Sequence, residues 1–157
     1  MTPAHLHLIL NHVPVVGFPL ATLLLLVAWM RKSRELQSVA LAGALLVSLT
    51  TVSAFMTGEP AEHQIEHAPG VTKEHIEAHE DMARISLGLG LLCGIAAGTV
   101  LVLGRVRGPS RGGVALTLVI ALATCGALAV TSERGGHIRH PEITPGAISG
   151  SEAPDRD

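Results

Sequence analysis

Nine histidines fall into three groups along the chain: His5, His7 and His12 near its start, His63, His67, His75 and His79 in its middle, and His137 and His140 near its end. A neutral imidazole offers one bare nitrogen lone pair and is the commonest side-chain ligand for transition metals, and two imidazoles can grip a haem iron from opposite faces. Acids accompany the middle group. Glu59, Glu77 and Glu80 could complete a mixed nitrogen and oxygen site for Zn, Fe or Cu with His12, His79, His140 and His7, and Met56 and Met82 would favour Cu(I) if they pointed inward. Two chemistries are therefore open: a b-type haem held by two histidines from different helices, and a direct metal site. A third, non-catalytic class is an accessory subunit of a larger membrane complex, or a homo-oligomer, in which the histidines pair with acids. An electron carrier or accessory subunit fits the chain better than a stand-alone enzyme.

The elements that must position these residues are membrane helices. With 48% hydrophobic and only 15% charged side chains, the 157-residue chain is written for lipid. Apolar runs from Leu6 to Met30, Leu36 to Thr57, Ile85 to Leu103 and Gly113 to Thr131 each approach the ~20 residues that a spanning helix needs. Strands are the weaker alternative, because runs of Leu, Ala and Gly without alternation do not resemble the ~10-residue alternating segments of a membrane barrel. The predicted fold is all-α, a four-helix transmembrane bundle over residues 1–145, followed by a disordered acidic tail at 146–157. No basic residue precedes the first run, which is expected to remain in the mature protein as a span.

Loop charge sets the expected orientation. Arg31, Lys32 and Arg34 fill the first connection and Arg105, Arg107 and Arg111 the third, so these loops are predicted to be cytoplasmic, with both termini outside a bacterial inner membrane. Twelve of the thirteen acids and all nine histidines then share the periplasmic or exterior side, with Glu35 the one acid inside. A haem there would be confined to that side, because no histidine lies near the inner face to hold a second carrier. It could take electrons from a quinol or give them to a periplasmic carrier, with the bilayer as the chain's other partner. Nucleic acid is not an expected partner.

Local signals refine the candidates. The stretch PAEHQIEH reads as a short interfacial helix that carries His63 and His67 on one face and stops at Pro69-Gly70. HQIEH also matches an inverted zinc-protease pattern, although the stretch is short and no soluble domain is present to form a cleft. Thr72 is predicted to cap a helix of about 32 residues, roughly 48 Å long, with His75, His79 and Met82 on one stripe. His79, nearest the lipid boundary, is the better ligand and His75 belongs to a solvated face. Pro14 and Pro19 are expected to bend or restart the first helix and to aim His12 into the bundle, with Gly17 allowing a close approach. Two histidines on one helix cannot serve opposite haem faces, so His12 with His79, and His7 with His140, are the expected pairs. Gly90, Gly94 and Gly98 form a small-xxx-small repeat suited to helix packing, and Cys93 and Cys125 are apolar filler.

The stretches HLILNHVPVVG, TGEPAEHQIEHAPGVTKEHIEAHE and GGHIRHPEI resemble the signatures of a bacterial family of small four-helix, histidine-containing membrane proteins that has no established activity. They cover about a third of the chain. The resemblance implies His7, His12, His79 and His140 as its characteristic histidines, with Glu59, Glu77 and Glu80 among the acids. More distantly, the chain is similar to membrane domains fused to electron-transfer modules, which implies redox work.

Overall fold

The computed structural model describes residues 1–139, so His140 and the tail at 146–157 lie outside the described residues. The elements are α1 (Pro3–Arg31), α2 (Arg34–Met56), α3 (Gly58–Ile65), α4 (Lys73–Leu103) and α5 (Arg111–Arg139). All are helices, and the four long ones, with α3 continuing α2, are long and apolar enough to cross a membrane. They form a ring in which α1 packs on α2, α2 on α4, α4 on α5 and α5 back on α1, while α3 leans on α1. Short connections make successive long helices antiparallel, which gathers the described histidines at one end and Arg31, Lys32, Arg34, Arg105, Arg107 and Arg111 at the other.

Side-chain sizes explain the packing. The centre holds Ala21, Ala28, Ala40, Ala44, Ala97 and Ala121 around Phe18, Leu25 and Leu41, while Leu20, Leu23, Leu46, Leu49, Ile95 and Val119 point outward. Large apolar groups outside and small ones within suit a lipid surround, where close backbone approach drives helix association. The interior is also rich in hydroxyls. Ser48, Thr51, Thr117 and Thr124 are buried, and each donates to a carbonyl three or four residues earlier on its own helix, at 2.8, 2.6, 2.9 and 2.9 Å. Each donor is satisfied locally and none needs a neighbour. The thiols instead reach across helices: Cys93 of α4 is buried with its Sγ 4.0 Å from the Thr117 carbonyl of α5, and Cys125 of α5 meets Thr22 Oγ1 of α1 at 3.4 Å.

Three local expectations meet the structure differently. Thr72 does cap α4, accepting from the His75 backbone N–H at 3.3 Å. By contrast α1 runs unbroken through Pro14 and Pro19, and the group that approaches Gly17 is Val47 of α2, whose methyls would lie 3.0 Å from a Cβ there. The helix after Thr57 ends at Ile65, one residue before its cap Glu66, so His67 falls beyond it and shares no helical face with His63.

Candidate functional site

At the histidine end, two of the expected ligands come together: His7 of α1 and His79 of α4 stand with ring centroids 6.5 Å apart and ring planes at 90°. Each ring is fixed from behind. His7 Nδ1 donates to the Ala54 carbonyl of α2 at 3.1 Å and lies 3.0 Å from Thr57 Oγ1, whose own hydroxyl donates to that same carbonyl at 2.8 Å. His79 Nδ1 donates to the Thr131 carbonyl of α5 at 2.9 Å. A carbonyl oxygen only accepts, so in both rings the proton sits on Nδ1 and the Nε2 lone pair is left bare. Imidazoles that ligate metals are commonly oriented and tautomerically fixed this way. All four long helices thus contribute to one pair of rings.

The surrounding backbone is shaped to the rings. Gly135 of α5 lies against His79, where a Cβ would be 3.1 Å from Cε1 and 3.2 Å from Nδ1, whereas a Cβ at the adjacent Gly136 would meet nothing within 4 Å. Below the rings Ser86 Oγ and Thr131 Oγ1 meet at 2.9 Å and tie α4 to α5, and beside them Arg134 Nη1 donates to the Ala78 carbonyl at 2.9 Å.

The other sequence candidates take different places. His12 is exposed on α1, its Nδ1 turned back onto the Leu8 carbonyl, so His7 and not His12 is the ring that faces His79. The His7 and His140 pair cannot be placed, since His140 lies outside the described residues. The acids are engaged elsewhere: Glu80 binds Arg84 at 3.0 Å, Glu77 binds Lys73 at 3.4 Å, and Glu59 lies 4.0 Å from His63. Met56 is exposed. Among the described residues no three His, Cys, Asp or Glu side chains converge as a metal ligand set.

Two residues gain importance that the sequence did not give them. His75 is half-buried, its Nδ1 shielded and without a hydrogen-bond partner, and its ring lies 6.3 Å from that of His137 at 53°. His75 is one turn before His79 on α4, and His137 is six residues after Thr131 on α5. The signal was present in the i, i+4 spacing of His75 and His79, but it required α5 to continue to Arg139, eight residues past the end of the apolar run at Thr131.

Fold and site together define an all-α protein with four helices fit to cross a membrane and a pair of oriented histidines at one end of the bundle. The chain matches no family model, no curated protein and no solved structure.

Proposed function

We propose that His7 and His79 are the two axial ligands of a single b-type haem, and that the protein transfers electrons at the outer face of the bacterial inner membrane. The observation that carries this reading is the ring pair, with both Nδ1 protons held by neighbouring helices and both Nε2 lone pairs bare. Two imidazoles bound to one metal at ~2.0–2.1 Å per bond stand with centroids on the order of 6 Å apart, close to the spacing here. The donor count favours haem over a direct metal site. A protein-only zinc site uses three or four side chains, whereas haem iron takes four nitrogens from its macrocycle and asks only two of the protein. The basic loops at the opposite end support an orientation with the histidine end outside.

A bound haem would supply a one-electron couple; His7 and His79 would hold it through their two bare nitrogens, with each Nδ1 proton kept on a backbone carbonyl. The test is the dithionite-reduced minus air-oxidised absorption spectrum of freshly extracted protein in mild detergent. A sharp alpha band with a shifted Soret peak is expected, and a flat difference spectrum would sink the haem reading.

The fit of Gly135 to the His79 ring gives a further expected result. Gly135→Val pushes a branched Cβ into the ring and should weaken haem retention by about tenfold or more, the scale seen when an orienting group around a metal ligand is lost. Gly136→Val, facing open space, should retain haem like the parent in the same spectrum.

A further inference from the structure

At the basic end α2 and α4 come apart. A Cβ at Gly90 would lie 3.0 Å from Thr51 and one at Gly94 would lie 2.8 Å from Ser48, yet one at Gly98, a turn further on, would lie 3.9 Å from the tip of Leu45. The widening seam opens into a groove of about 440 Å³ between the two helices, with Leu45, Gly98, Leu101 and Val102 along it and Ser38 and Arg105 among its lining. Ser38 and Leu45 are seven residues apart on α2, a depth of ~10 Å. Arg34 stands one turn before Ser38, and its aliphatic chain lies against Gly108 of the connection between α4 and α5. Two arginines from different elements thus flank the open end of an apolar slot.

The charge at this end is one-sided. Arg31, Lys32, Arg34, Arg105, Arg107 and Arg111 face one acid, Glu35, and every ion pair among the described residues lies at the other end of the bundle. Unpaired cations beside an apolar slot complement a molecule that is anionic at its head and hydrocarbon in its tail. We propose that this groove is a binding site for an anionic phospholipid, with one acyl chain between α2 and α4 along Leu45, Gly98, Leu101 and Val102 and its phosphate at Arg105. Basic pockets between helices at a membrane surface select anionic lipids on this principle. The site is far from the histidine pair and independent of the haem reading.

The full-length protein in mild non-ionic detergent is titrated with phosphatidylglycerol and, separately, with phosphatidylcholine of identical chains, and retained lipid is read by native mass spectrometry. Phosphatidylglycerol should be retained preferentially, and Arg105→Gln should reduce that preference by about fivefold, the contribution of one cation near an anionic headgroup. Gly98→Leu should fill the slot and abolish retention of both lipids. Equal retention of the two lipids by the parent, or an unchanged preference in Arg105→Gln, overturns the proposal. So does displacement of the lipid by glycerol phosphate without chains, which would make the site one for free phosphate. If Gly98→Leu fails to fold, judged by helix content, Arg105→Gln in the loop decides alone.

Discussion

Replacing either His7 or His79 by alanine is expected to strip the haem, leaving a protein that folds and inserts but shows no Soret band. In the proposed site each ring would supply one nitrogen to the iron, and among the described residues no third His, Cys, Asp or Glu joins them to take over. His12→Ala should retain the full spectrum, because its ring is exposed and turned onto its own helix at Leu8. This inverts the expectation drawn from the sequence, in which His12 was the partner of His79. His75→Ala should also keep the haem, since His75 meets His137 and not the His7 ring. Loss of colour in His12→Ala with retention in His7→Ala would overturn the assignment of His7. The spectrum of purified, monodisperse variants separates these outcomes directly.

Gly94→Leu is expected to destabilise the seam between α2 and α4. Its Cβ would fall 2.8 Å from the Ser48 Cβ, an atom fixed to the backbone of α2 that no rotamer change can remove. Either the two helices separate or the side chain strains, and overpacking of this kind costs about 1–3 kcal/mol. At about 2–4 °C per kcal/mol for a chain of this size, a melting temperature lower by roughly 2–12 °C in detergent follows. Gly88→Leu, on the same helix but with open space around the new Cβ, should melt within error of the parent. Equal melting of the two variants would show that the α2 and α4 seam is not closely packed.

Much of the architecture was legible because its signals are local. Hydropathy marks four spans, the basic residues of two loops mark one end, and Thr72 announces the start of α4 three residues ahead of the N–H it caps. The choice between His7 and His12 was not legible. Five residues on one helix are rotated by roughly 140°, so only one of the two can face α4, and which one depends on helix phase. Two prolines made a break in that phase the natural reading, but α1 is continuous and keeps His7 inside. The pairing of His75 with His137 was hidden for a related reason: the apolar run ends at Thr131, yet the helix continues to Arg139. What fixed the imidazoles was equally invisible in composition. Ala54 and Thr131 contribute backbone carbonyls, and any residue type carries one.

The cross-links described above are unevenly distributed along the bundle. At the histidine end α1 is fastened to α2 through His7, α4 to α5 through His79, Arg134 and Ser86, and α1 to α3 by the Ala4 N–H on Gln64 Oε1 at 3.0 Å. Away from that end the described side-chain links between long helices are weaker: Cys93 to the Thr117 carbonyl at 4.0 Å, Thr22 with Cys125 at 3.4 Å, Gln37 to the Ala28 carbonyl at 3.4 Å, and the Arg111 guanidinium 4.9 Å over the Trp29 ring. Polar cross-links thus gather at the imidazoles, whereas the arginine end is held by close apolar packing, with Ala28, Ala40, Ala97 and Val114 fully buried and Gly113 set tightly against Val100. The two ends are therefore secured by different forces: hydrogen bonds between helices fix the orientation of the rings, and the contact of small side chains fixes the spacing of the helices below them.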